Sequence, residues 1–245
     1  MDAIQSPGGF RFLPVDGPFS AGVAAEPGYE IVRVLAPTYT ELGEGFRLVE
    51  SVLQEWSRPM AALCAMELRI PRPLNRAEWE DFNAAYIAQH EAWGMRVHGR
   101  LPAARTNVAP EFDPPREPSL HAFCFTVEAQ TLRSTFVISG AAEPAGTAGG
   151  PQAYWAAIAE AIDDRMSSLG VAWADATEVQ FYGPRADHDV FASSELRRFK
   201  DLVRPGLRWF FSRPPIDSLH LEIDVRSLAR ETWALEASAR RVQKS

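Results

Sequence analysis

Pro114-Pro115 followed by Ser119-Leu120-His121 returns later in the chain as Pro214-Pro215 followed by Ser218-Leu219-His220. Working outward, Pro102-Ala103-Ala104-Arg105 returns as Pro205-Gly206-Leu207-Arg208, and Ala24-Ala25-Glu26-Pro27 as Ala141-Ala142-Glu143-Pro144. The matches keep their order, and their offset shrinks from 117 residues at the first to 99 at the last. Two copies of one unit give such a series when the second has shorter loops. It predicts one domain over 10–130, a second over 131–230 with the link near 128–134, and a tail over 231–245.

Hydrophobic spacing fills in the units. Leu42, Phe46, Val49, Leu53 and Trp56 mark a helix within 38–56, with Thr38 and Glu41 in a capping-box pattern. Asn75 and Glu78 repeat that pattern before Trp79, Phe82, Tyr86, His90 and Trp93, and Gly94 ends the stripe. Trp155, Ile158, Ile162, Met166 and Leu169 predict a helix over 151–169, Phe191, Phe199 and Leu202 one over 190–203, and the Arg/Ala-rich end one over 227–243. Strands are predicted at Leu63–Ile70, His121–Ala129, Thr135–Gly140, Thr177–Tyr182 and Ser218–Arg226. Leu219 to Val225 alternates strictly, so one face should be core and the other solvated, Glu222 included. The class is α/β (α+β), with mixed, mainly antiparallel sheets and helices packed on one face.

Composition excludes several functions. With 46% hydrophobic and 23% charged residues, the 245-residue chain can build a core. No apolar run is long enough for a membrane helix, and Met1-Asp2-Ala3-Ile4-Gln5 does not read as a signal peptide. A net charge of −7 disfavours nucleic acid as a partner. The two cysteines, Cys64 and Cys124, lack CxxC spacing, so neither a cysteine zinc site nor a disulfide framework is expected and the cytoplasm is the default location. Lysine occurs at Lys200 and Lys244 alone, which leaves almost no Schiff-base chemistry. His90, His98, His121, His188 and His220 form no HExxH or His-x-His pair, and Asp189 beside His188 reads as a helix N-cap. Gly146 to Gly150 has neither P-loop nor GxGxxG spacing, so no metal or cofactor is expected.

Phe82-Asn83-Ala84-Ala85-Tyr86 on a helix, then Pro102-Ala103-Ala104-Arg105, then Thr106-Asn107-Val108 and a strand after prolines, resembles the RidA/YjgF family of reactive-intermediate deaminases. Ile138-Ser139-Gly140 resembles that family's early Ser-Gly strand end. The resemblance spans nearly the whole chain as two tandem copies. It implies chorismate-mutase-like folds, a homo-oligomer such as a trimer, and pockets between neighbouring copies.

That resemblance implies hydrolysis of a small carboxylated imine or enamine to a keto acid and ammonia. Arg105 matches the family's carboxylate clamp, a task that a planar guanidinium performs bidentately. Asn83 matches the helix asparagine that lines the pocket, and Thr106, Ser139 and Gly140 complete the substrate-binding set. Asn107 stands where the family has cysteine, and its amide can donate to an oxyanion or orient a water. The family's strand glutamate, aligned through Ser-Leu-His, falls at Phe123 or neighbouring His121 in the first copy and near Glu222 in the second, and His121 is a candidate base. The second copy, with Trp209-Phe210-Phe211 after Arg208, has lost the polar set. Two other readings are a chorismatase-like hydrolase or lyase acting on a carboxylated ring, and a non-catalytic ligand-binding or assembly protein.

Overall fold

The computed structural model describes residues 2–130, 133–194 and 206–234. The first part of the chain forms β1 (Ile4–Ser6), β2 (Phe10–Phe12), β3 (Gly22–Ala25), β4 (Tyr29–Glu41), α1 (Leu42–Glu55), β5 (Leu63–Arg69), α2 (Arg76–Ala92), β6 (Ala104–Pro110) and β7 (Ser119–Glu128). The rest forms β8 (Phe136–Ala142), α3 (Pro151–Leu169), β9 (Glu178–Gly183), α4 (Arg185–Ser194), β10 (Leu207–Arg213), β11 (Glu222–Ser227) and β12 (Arg230–Trp233).

All the strands join one mixed sheet in the order β1-β2-β3-β8-β11-β9-β10-β6-β5-β7-β4-β12. The pairs β5–β6, β9–β10 and β4–β12 are parallel, and the other pairings are antiparallel. Within the sheet, β4-β7-β5-β6 and β8-β11-β9-β10 have the same order and the same directions. The two sets meet where β6 runs antiparallel to β10, over Ser212↔Pro110 and Arg213↔Ala109.

Helices cover one face of each set. The α1 stripe of Leu42, Phe46, Val49 and Leu53 packs with Tyr86 of α2 onto Val32, Leu68, Phe123 and Phe125. On the other set, Trp155, Ile158, Ile162, Met166 and Leu169 of α3 pack onto Ile138, Val179, Phe181, Ile223 and Val225. Each such large side chain contributes roughly 1.5–3 kcal/mol by leaving water. The uncovered faces meet in the interior, where Phe10, Ile31, Cys64, Cys124 and Val137 form a smaller apolar cluster.

Beside that cluster lies a buried network of charge. Arg33 grips Glu67 with two bonds of 2.6 and 2.7 Å, and Arg226 donates to the same carboxylate. Burial works to raise the Glu67 carboxyl, but Arg226 and Arg33 outweigh it and hold the group well below the usual carboxylate range.

Several expectations change on folding. β11 is buried along its whole length, because β8 and β9 flank it and both faces are covered; its polar face is interior, and Glu222 is not solvated. The cap of α1 is Glu41, whose carboxylate accepts from the N–H groups of Gly43 and Glu44, in place of Thr38. Asp189 lies inside α4 and so is not its N-cap. Arg230–Trp233 is a strand beside β4 where a helix was expected, and 235–245 lies outside the described residues. Of the helix expected over 190–203, residues 195–203 also lie outside them. No helix among the described residues is long and apolar enough to cross a membrane.

Candidate active site

The site begins with the cap of α2. Asn75 accepts from the Glu78 N–H at 3.1 Å and Glu78 accepts from the Asn75 N–H at 2.9 Å, the reciprocal box its sequence predicts. This fixes the start of α2, so Asn83, Tyr86 and His90, spaced by three and four, turn inward.

Opposite them runs β6, whose alternation sends Arg105 and Asn107 to one side and Thr106 to the other. Arg105 is 3% exposed. Its Nη2 donates to Asn83 Oδ1 at 2.8 Å. The rings of Phe19, Trp79, Phe82 and Tyr86 surround the guanidinium, with centroids at 4.7, 4.9, 5.6 and 4.6 Å. Among the described residues no carboxylate pairs with it, and Nη1 is buried without a hydrogen-bond partner. Burial lowers its pKa to about 10, so it stays charged at neutral pH. A buried cation held by an amide and four rings lacks an anion.

Glu222 faces it from β11. Burial first, then the Asp224 carboxylate, pushes its carboxyl up to about 8, against the Asn107 backbone N–H, Arg105 and Arg69. At neutral pH the group is mostly the neutral acid. Gly140 makes room for it, since a Cβ there would overlap the Glu222 carboxyl. Ser139 holds the strand behind, accepting from the Arg105 N–H at 3.1 Å and donating to the Ser20 carbonyl. Both side-chain atoms of Asn107 are buried without partners among the described residues.

These groups line one cavity of about 120 Å³, with Phe19, Trp79, Arg105, Asn107, Gly140, Ala142, Pro215, Ile216, Leu219 and Glu222 as its walls. The cavity sits at the seam between the two strand sets, which contribute β6 from one side and β8, β11 and the 214–219 turn from the other.

The structure therefore brings Arg105, Asn107, Asn83 and Gly140 together, with Ser139 as a backbone support. Thr106 points away and donates to Asp224 at 2.9 Å. His121 is not part of the cavity. It stands on β7 near Arg69, Glu67, Arg33 and Arg226, and burial, then Arg69, lowers its ring to about 3. Arg208 is not the counterpart of Arg105: it is largely exposed and pairs with Glu178, while Trp209 takes the helix side and stacks on Phe181. Sequence reasoning set Glu222 aside and gave Phe19 no role. The alternation Glu222-Asp224-Arg226 is what a strand with one wet face also shows; the signal for Glu222 was the place of the RidA/YjgF family's strand glutamate near it in the second copy.

A family model described as 2-aminomuconate deaminase CnbZ matches residues 3–232, nearly the entire chain. The chain belongs to the CnbZ family. A relative of this CnbZ-family protein, the 2-amino-5-chloromuconate deaminase of Comamonas testosteroni, is 35% identical over 246 residues, covering 94% of this chain and 97% of its own. A crystal structure of chorismatase aligns with a TM-score of 0.49 and 13% identity, over 93% of this chain and 89% of that one. CnbZ membership corrects the resemblance to RidA/YjgF. An arginine on a strand facing a helix asparagine is what a carboxylate pocket needs in many folds, so the quoted motifs did not discriminate. The expectations of a trimer and of a RidA fold in each half rested on that resemblance.

Proposed function

We propose that this CnbZ-family protein hydrolyses a small enamine-bearing carboxylate of the 2-aminomuconate type to the 2-oxo acid and ammonia. The names of its family and of its relative support the substrate class. The observation that carries the reading is Arg105, a buried, charged guanidinium with Nη1 unpartnered among the described residues, set across the cavity from a carboxyl that is neutral at working pH.

In this reading Arg105 takes the substrate carboxylate next to the amino-bearing carbon, steered by Asn83 and the four rings. Glu222 gives its proton to the enamine carbon, which turns the C=C–NH₂ unit into an electrophilic iminium. Water adds to the iminium carbon and its proton passes to the Glu222 carboxylate. Glu222 then protonates the carbinolamine nitrogen, the C–N bond breaks, and the hydroxyl proton returns to Glu222 as the keto group forms. One water enters, ammonia and the 2-oxo acid leave, and Glu222 ends neutral. Asn107 offers an acceptor to the amine and a donor to the carbinolamine oxygen. His121 and Thr106 make no substrate contact in this scheme.

The matched strand orders support reading 10–130 and 131–230 as copies of one unit that share a single pocket. Free, buried Cys64 and Cys124 support a cytoplasmic location.

The test is ammonia release, with decay of the conjugated enamine absorbance, from freshly prepared 2-aminomuconate. Carboxylate binding without ammonia above the buffer rate would sink the deaminase reading. A narrower test is Gly140→Ala. The added methyl must displace the Glu222 carboxyl, so turnover is expected to fall by about 10²-fold, the lower range for a lost acid–base group. Unfolding should show an overpacking cost of about 1–3 kcal/mol. Full turnover in this variant would mean that Glu222 does not work from where it stands.

A further inference from the structure

Asp224 lies two residues beyond Glu222 on β11 and shares its face. It is fully buried. Arg226 holds it with two bonds, Nε to Oδ1 at 3.1 Å and Nη2 to Oδ2 at 2.6 Å. The Tyr182 hydroxyl is 3.0 Å from Oδ2, and Thr106 donates to the same oxygen at 2.9 Å. Thr106 is the residue between Arg105 and Asn107. In the sheet, β6 and β11 are separated by β9 and β10, so no backbone ladder sets their spacing across the cavity. The Thr106–Asp224 bond spans that gap directly.

We propose that Asp224 is a positioning residue of this site: through Thr106 it fixes the strand of Arg105 and Asn107 against the strand of Glu222, and it sets a fixed negative charge beside Glu222. The proposal rests on the reading of Glu222 as the proton carrier. The groups that act on Glu222 are Arg105 and the Asn107 N–H from β6, Asp224 on its own strand, Arg69 from β5 and Arg165 from α3. Burial and Asp224 favour the neutral acid, while the cations and the N–H favour the carboxylate. With Asp224 neutralised, burial alone stands against the cations and the N–H, and Arg226 keeps Glu67 as a carboxylate partner.

The experiment titrates the Glu222 carboxyl band by infrared difference spectroscopy, assigned by its loss in Glu222→Gln. Affinity for muconate, a dicarboxylate without the amine, is measured alongside. Wild type should titrate near 8. Asp224→Asn should move the midpoint down by about one pH unit or more, and the pH–rate profile with it. Thr106→Val keeps volume and charge but removes the tie, so it should weaken muconate binding about tenfold, and Thr106→Ser should restore it. An unmoved midpoint in Asp224→Asn, or wild-type affinity in Thr106→Val, overturns the proposal. Should Asp224→Asn not fold, the Thr106 pair decides alone. A wild type that releases no ammonia but whose Glu222 midpoint still follows Asp224 would remove the deaminase reading and leave the positioning role standing.

Discussion

Arg105→Ala is expected to lower kcat/KM by about 10²–10³-fold, the loss of a charge-assisted clamp on a carboxylate whose charge stays buried. Most of this should appear in KM, because the carboxylate is bound alike before and during the reaction. Arg105→Lys should be nearly as harmful. Lysine keeps the charge but cannot present two parallel donors, and the cage of Phe19, Trp79, Phe82 and Tyr86 fits a flat cation. Arg208→Ala is the contrast. That side chain is 59% exposed and turned towards Glu178, so turnover should stay near wild type. Steady-state kinetics of the three variants, each checked for intact fold, makes the comparison. Wild-type kcat/KM in Arg105→Ala would leave the site without its anchor and sink the functional reading.

Glu222→Gln should have the second large effect, and in two directions. Turnover should fall by about 10²–10⁴-fold, the usual contribution of a positioned acid–base group, with muconate binding retained. Stability should move the other way at high pH. The folded-state carboxyl titrates at about 8 against an ordinary value of 4.5. Between these limits the unfolded chain has released a proton that the folded chain still holds. Wild type must therefore lose stability as pH rises through this window, by on the order of 5 kcal/mol once Glu222 ionises in place. Glutamine carries no such penalty. Thermal unfolding on both sides of neutrality should show a slope with pH in wild type that is missing from Glu222→Gln, with the variant the more stable in alkali. Parallel pH curves for the two proteins would mean that Glu222 is ionised at neutral pH and cannot supply the first proton.

Local rules made much of this legible. The Asn75–Glu78 box and the stripe from Trp155 to Leu169 fold as their spacing predicts, because capping and helical periodicity need no distant partner. Arg105, Asn83, Asn107 and Gly140 were also readable as a pocket set. What escaped depends on neighbours far along the chain. Glu222 looked solvated until β6 and the 214–219 turn covered that face of its strand. Phe19 sits in a segment with no periodicity, yet it closes the cage on Arg105. Arg208 matches Arg105 by motif, but a one-residue difference in register turns it to the opposite face. β4 runs through Pro37, and its ladder to β7 breaks between Leu35 and Thr40, which hid a 13-residue strand from pattern reading.

The residues that line the seam cavity are drawn from both strand sets of one polypeptide, and this bears on how those two walls behave when the protein is scarce. A pocket shared between separate molecules empties as those molecules part on dilution. Here the two walls are tethered covalently, so each meets the other at an effective concentration that dilution cannot change. The contact between these two walls should accordingly hold from micromolar stocks down to the thin concentrations at which loosely associated assemblies come apart.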